Sequence, residues 1–354
     1  MEAPRIYREL TEGLTRPVRA EELVYLAPGL PTREQIAEEA AKAQSDKAGL
    51  EIAQGAFLGD VLADPDCGRH LIEAMLAPTP LALQHREAYA QTGVVDLGRA
   101  YVERRGNVGT VELRNPRHLN AEDDSTIAPL EAGIDLLLHD EATEVCVLRG
   151  GVVDHPRYAG RRIFGAGLNL THLYRGQISY LFFPVRDLGL VHKVFRADKL
   201  WIAAAETFAI GGGCQLLLTV DHILCERRTR LTLPARNEGI IPGAANLRLP
   251  RFVGDRRARQ AILSGEALQP EELADEIVEA REMDAALAAR AHALAAAGAV
   301  SGGANKRAFR VGQEPLDVFR EYMSVYCREQ AVCYFSPALI RNLEENWRAH
   351  ERGA

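Results

Sequence analysis

Membrane-length apolar runs, paired cysteines, basic excess and low-complexity tracts are all missing from this 354-residue chain, and each absence removes a class of function. No stretch approaches the roughly 18 uncharged apolar residues that cross a bilayer, and the opening MEAPRIYRELTEG has no apolar segment of the kind found in secretory signals. The six cysteines (Cys67, Cys146, Cys214, Cys225, Cys327 and Cys333) are scattered, with no C-x-x-C pair and no histidines at zinc spacing. That pattern argues against a structural metal and for reduced thiols in a cytoplasm. The net charge is −7, so no broad basic face is available to neutralise nucleic-acid phosphates. The expectation is a soluble cytoplasmic protein that binds neither nucleic acid nor membrane, and that meets any anion at a local site.

What is present is ordinary globular material, 47% hydrophobic and 26% charged, in a chain longer than one typical domain. Residues 1–95 read as an N-terminal helical domain, rich in alanine, leucine and glutamate and broken by Pro28, Pro31, Pro65, Pro78 and Pro80. From Asp96 the texture changes to short β-rich runs, GNVGTVELRN, EVCVLRGG, LWIAAAETFAIGGG and VDHILCERRTRLTL, each leading through a turn into a helical stretch. This predicts an α/β core over 96–265, followed by a C-terminal helical region over 266–354.

Two glycine loops carry the chemistry. Ala209-Ile210-Gly211-Gly212-Gly213-Cys214-Gln215-Leu216 follows a strand-like run and opens a helix-like one, so N–H groups without helical partners face outward where no side chain blocks a ligand oxygen. Taken alone, three glycines are equally a tight strand-to-helix turn packed on a neighbour. A second loop of the same design, Arg162-Ile163-Phe164-Gly165-Ala166-Gly167-Leu168-Asn169-Leu170, favours chemistry, because two loops can aim one N–H each at a single oxyanion. Neither loop suits phosphate. The first lacks the Lys-Ser/Thr of a P-loop and the second lacks the third glycine of the dinucleotide fingerprint.

Phe164-Gly165-Ala166-Gly167-Leu168-Asn169, Ala209 through Gln215, and the run from Glu238 to Pro250 (EGIIPGAANLRLP) occur in the order and approximate spacing of the crotonase, or enoyl-CoA hydratase/isomerase, superfamily. The chain resembles that superfamily over roughly residues 97–280. The resemblance implies a spiral of ββα units, an acyl-CoA ligand, oxyanion N–H groups at Leu168 and Gly212, and assembly as a homotrimer or hexamer. Hydration of an enoyl thioester uses two glutamates in that superfamily, and the matching positions here are Gln215 and Ala235. Neither side chain exchanges a proton near neutral pH, so ordinary hydratase chemistry is not expected.

Within the superfamily the chain resembles the cofactor-independent 3,5-dihydroxyphenylacetyl-CoA dioxygenases of glycopeptide-antibiotic biosynthesis, enzymes that lead to dihydroxyphenylglycine. The likeness rests on Asn115 to Asp123 (NPRHLNAED), His155 to Arg162 (HPRYAGRR), Arg186-Asp187-Leu188-Gly189, Gly213 to Leu218 and the EGIIPGAANLRLP run, together with the helical N-terminal extension. It implies that Glu122, Arg186 and Gln215 bind two ring hydroxyls, and that Leu168, Leu170, Ala235 and Ile240 line an apolar pocket for dioxygen. No metal or redox cofactor is implied, since CoA is part of the substrate. An enolate spread over an electron-rich ring can pass an electron to dioxygen directly.

Read from the residues alone, several of these positions have plainer explanations. Glu122-Asp123-Asp124 is equally a solvated helix start, Arg186 a surface ion pair, and His155 a loop histidine near the thioester or away from it. Arg157, Arg161 and Arg162 meet either CoA phosphates or solvent. Cys214 stands next to Gln215, close enough to the site to notice. One departure concerns Arg196-Ala197-Asp198, where the dioxygenase resemblance implies a longer, tryptophan-containing loop; a missing shield would open the site and suit a homologous substrate. The rival enzyme class is an acyl-CoA isomerase or thioester hydrolase with Glu238 or Glu122 as acid/base, and a non-catalytic crotonase subunit is a further alternative.

Overall fold

The computed structural model describes residues 2–351. Its main sheet runs in the order β1 (Val94–Asp96), β2 (Ala100–Arg105), β3 (Val108–Leu113), β4 (Val145–Gly150), β5 (Leu200–Ala205), β7 (His222–Glu226) and β9 (Glu276–Val278). The first three strands are antiparallel and the pairs from β3 onward are parallel. VCVLRG and LWIAAA are buried almost throughout, as expected of parallel strands covered on both faces.

The remaining strands, β6 (Phe208–Ile210) and β8 (Arg230–Thr232), pair with each other in a separate small sheet, which a Gly165–Ala209 bridge extends. Three successive segments therefore repeat one path. Each follows a strand of the main sheet, turns into the small layer, and ends in a short helix. The first runs from β4 through Gly165 to helix Leu170–Tyr174, the second from β5 and β6 to helix Gly212–Leu217, and the third from β7 and β8 to helix Ala235–Glu238. This is the expected ββα recurrence, and it stacks three strand-to-helix corners side by side.

Helices Glu2–Leu10, Ala20–Leu26, Ile52–Ala63 and Pro65–Leu76 share a second apolar core with helix Leu316–Tyr334, through Tyr7, Leu23, Leu58, Leu71, Phe319 and Met323. Local signals start these helices. The Asp64 carboxylate accepts the N–H groups of Asp66 and Cys67 ahead of Pro65–Leu76, and the Thr79 hydroxyl caps Pro80–Thr92. A buried charge cluster ties this layer to the catalytic core: Lys193 Nζ lies 2.9 Å from Glu131 and 2.7 Å from Asp135, while Arg19 reaches Glu131 at 3.0 Å. With every carboxylate facing a cation, the cluster avoids the penalty of an unpaired buried charge.

Candidate active site

The first corner begins with Glu122, whose backbone forms a parallel bridge to Leu168. The Glu122 N–H donates to Gly167 O at 2.7 Å and the Asn169 N–H donates to Glu122 O at 2.8 Å, which leaves the Leu168 N–H between them without an acceptor among the described residues. At the second corner the N–H of Gly212, first residue of its helix, is equally free. The Gly165 and Ile210 backbones lock the corners together, with the Ile210 N–H donating to Gly165 O at 2.9 Å. Leu168 and Gly212 border the same inner cavity.

Arg186 forms the polar wall of that cavity. Its guanidinium donates through Nε and Nη2 to the two oxygens of Glu122, through Nη2 to Gly212 O at 2.9 Å, and through Nη1 to Gln215 Oε1 at 2.9 Å. Both ions are buried, at 3% and 1% exposure. Burial works against the Arg186 charge, but the Glu122 carboxylate outweighs it and holds the guanidinium protonated above its usual range. Glu122, Arg186 and Gln215, 93 positions apart in sequence from first to last, thus meet in one hydrogen-bonded set. The plain reading of the acidic run, a solvated helix start, holds for exposed Asp124, the first residue of helix Asp124–His139, while Asp123 is the buried cap that accepts the Ser125 N–H at 3.0 Å.

The inner cavity measures about 30 Å³ and is also bordered by Phe182, Phe183, Asp187, Ala235, Ile240, Gly243 and Tyr326. That space suits a molecule of roughly the size of water or dioxygen, and an aromatic ring enters only if the wall moves outward. A larger outer cleft of about 600 Å³ adjoins it. Leu168 and Glu238 border both. Glu238 has no hydrogen-bond or ion-pair partner among the described residues, and burial raises its carboxyl to a pKa of about 7.

Of the residues singled out for dioxygen, Leu168, Ala235 and Ile240 border the inner cavity, whereas Leu170 lines the outer cleft, as does His155. Arg161 and Arg162 are tied to Glu226 at 3.3 Å and Glu112 at 2.5 Å, and Arg157 rests over the Tyr158 ring. The arginines that line the cleft are Arg117 and Arg230, neither with an ion-pair partner among the described residues. Cys214 points into the core, and burial pushes its thiol up to about 12, so it is inert. None of Arg196, Ala197 and Asp198 borders either cavity; Asp198 is held by Arg307 at 2.5 Å and Arg310 at 3.2 Å. Among the described residues no group of three or more His, Cys, Asp or Glu is placed to hold a metal ion.

Residues 103–309 match the enoyl-CoA hydratase/isomerase family. The chain belongs to that family. Among its relatives, the (3,5-dihydroxyphenyl)acetyl-CoA 1,2-dioxygenase of Amycolatopsis orientalis is 44% identical over 361 aligned positions, covering 96% of this chain and 82% of that protein. A probable enoyl-CoA hydratase of Rhizobium meliloti is 31% identical over 48% of this chain and 63% of its own length. Solved structures of the family show the same fold. An enoyl-CoA hydratase from Mycobacterium avium subsp. paratuberculosis superposes with a TM-score of 0.62 at 19% identity, covering 73% of this chain and 100% of that one. A carnitinyl-CoA dehydratase from Mycobacterium avium gives 0.59 at 26%, covering 72% and 98%. The hydratase-type relative thus matches about half of this family member, and the dioxygenase nearly all of it, helical N-terminal layer included.

Sequence reasoning missed part of the inner cavity of this enoyl-CoA hydratase/isomerase homologue. Tyr326 arrives from helix Leu316–Tyr334, far along the chain, with no motif to announce it. Asp187 did carry a signal, its place directly after Arg186. A π turn at Asp187–Val191 interrupts the helical run Phe182–Arg196 there. Consecutive helix residues normally point about 100° apart, and the widened turn accompanies the exposure of both Arg186 and Asp187 to one cavity.

Proposed function

We propose that this chain is a dioxygenase that converts 3,5-dihydroxyphenylacetyl-CoA and dioxygen into 3,5-dihydroxyphenylglyoxylate and free CoA, with no metal or redox cofactor. The observation that carries this reading is the Arg186–Glu122–Gln215 wall, set beside two free N–H groups in a chain similar over nearly its whole length to a dioxygenase of that name. In this reading the outer cleft holds the CoA arm, with Arg117 and Arg230 available to its phosphates. The thioester oxygen sits on Leu168 and Gly212 N–H, where negative charge develops as the α-proton leaves. Glu238, between the two cavities, takes that proton. The enolate passes one electron to dioxygen held against Leu168, Ala235 and Ile240, and the pair recombines as an α-peroxide. The outer peroxide oxygen attacks the thioester carbonyl and expels CoA thiolate; loss of the second α-proton with O–O cleavage gives the α-keto carboxylate. Both oxygen atoms end in the product, and both α-protons are released.

The test is oxygen uptake and CoA release in one vessel, with chelator-treated protein and 3,5-dihydroxyphenylacetyl-CoA. Matched uptake and release is the expected result. Release without uptake would replace this reading with the second one, a thioester hydrolase or isomerase using Glu238 as acid/base, which its lone carboxylate and pKa of about 7 favour. Tight binding without turnover would indicate a non-catalytic subunit. In either catalytic reading, Glu238→Gln lowers kcat by about 10²-fold or more and removes the rise in rate as pH passes through about 7.

A further inference from the structure

Asp187 stands on the far side of the Arg186 guanidinium from Glu122. Glu122 occupies the Nε and Nη2 edge, while Asp187 Oδ1 lies 3.7 Å from Nη1, beyond hydrogen-bond length. The side chain is 2% exposed, it borders the inner cavity, and Oδ1 has no hydrogen-bond partner among the described residues. A buried carboxylate oxygen left unsatisfied is destabilising in the free protein and calls for a reason. Gln215 mirrors it: its Oε1 is engaged by Arg186, and its amide NH₂ has no acceptor among the described residues. Gly243 keeps the space between these groups clear, since a Cβ there would come within 2.5 Å of Asp187 Oδ1 and 2.6 Å of Gln215 Oε1. Tyr326 borders the same cavity beside the Asp187 carboxylate.

We infer that Asp187 is a substrate-binding residue that accepts a hydrogen bond from a second acyl hydroxyl, on the opposite edge of the Arg186 fork from the hydroxyl met by Glu122. A hydroxyl donates, so it satisfies the unpaired carboxylate oxygen, where a hydrogen, methyl or ether group would leave that oxygen without a donor. The two carboxylates flanking one planar guanidinium make the site selective for a ring carrying two separated hydroxyls. This inference rests on the aryl-acyl reading given above and supplies the part of that recognition which a three-residue wall leaves open.

Unreactive thioether analogues of 3,5-dihydroxyphenylacetyl-CoA, the 3-hydroxy-5-fluoro compound and the 3-hydroxy compound separate the contributions. Fluorine nearly matches a hydroxyl in size and cannot donate. Wild-type protein is expected to bind the dihydroxy analogue at least 10-fold more tightly than the fluoro analogue, and Asp187→Leu to reduce that ratio to within 3-fold, with affinity for the monohydroxy analogue held. Equal wild-type affinity for dihydroxy and fluoro compounds overturns the inference without any variant, so a variant that fails to fold does not shelter it. An unchanged ratio in Asp187→Leu also overturns it. Oxygen uptake is measured separately on wild-type protein. Uptake with no donor preference sinks Asp187 and keeps the dioxygenase, while donor preference without uptake does the reverse.

Discussion

A guanidinium has five N–H donors, and four of Arg186's are engaged by Glu122, Gly212 and Gln215 before any substrate arrives. The set is therefore held in place by its own hydrogen bonds, and its rigidity depends on both charges being present. Removing one partner of such a pair leaves the other charged and buried, which typically costs about 3–5 kcal/mol. Arg186→Met is expected to lower stability by that order in denaturant unfolding. The double variant Glu122→Gln with Arg186→Met should recover at least half of the loss, because no bare carboxylate remains, while substrate binding stays impaired in both. Equal destabilisation of single and double variants would show that Arg186 acts through packing and not as the partner of Glu122. Lysine is no substitute, since three donors diverging from one nitrogen cannot reproduce the planar fork that makes four bonds to Glu122, Gly212 and Gln215.

At the scale of elements, the three stacked corners make the site, and small residues let them approach. A Cβ added at Gly212 would lie 2.4 Å from Glu122 Oε1 and 2.9 Å from Arg186 Nη2, so Gly212→Ala forces either the helix start or the ion pair to shift. The Gly212 N–H moves with it. Losing one oxyanion donor is worth roughly 10²–10³ in kcat, so that fall is expected with KM altered far less; an unchanged kcat would mean that Gly212 N–H does not face the reacting oxygen. The first two corners were legible in the sequence because each combines glycines, a preceding strand pattern and a following helix, three signals within about ten residues, whereas the third turns through Leu233-Pro234 without a glycine. Glu122, Arg186 and Gln215 were legible through their place in family motifs. The cavity's rear wall was not. Tyr326 sits in an amphipathic helix whose buried face reads simply as core, and nothing local shows which core residue borders a void. The assignment of Arg161 and Arg162 to solvent or phosphate likewise failed to foresee their carboxylate partners, because the strands carrying Glu112 and Glu226 meet those arginines only through the tertiary fold.

For the molecule as a whole, the helical N-terminal layer and the C-terminal helix Leu316–Tyr334 close over the element that carries Arg186. Tyr180 lies at the junction. Its hydroxyl donates to Cys327 O at 2.7 Å, and its N–H donates at 2.7 Å to Oε1 of Glu51, which is 2% exposed beside helix Ile52–Ala63. Burial raises the Glu51 carboxyl to about 7 against an ordinary 4.5; the Tyr180 N–H and Lys47 oppose the shift, while Asp124 and Glu39 add to it. Between those values the folded protein holds a proton on Glu51 that the unfolded chain has already released, so stability from this residue is greatest below about pH 4.5 and declines as pH rises to about 7. The decline is at most about 3.5 kcal/mol, since each pKa unit is worth about 1.4 kcal/mol. Glu51→Gln keeps an oxygen to accept the Tyr180 N–H and carries no charge to bury. Its unfolding free energy, compared with wild type at pH 5 and pH 8, should gain on the wild type by roughly 1–3 kcal/mol at the higher pH. Parallel pH curves for the two proteins would mean that Glu51 is already ionised at the junction and that the N-terminal layer docks independently of it. A gain of the expected sign, with kcat unchanged at pH 8, would show that ionisation of Glu51 weakens this junction without altering the site.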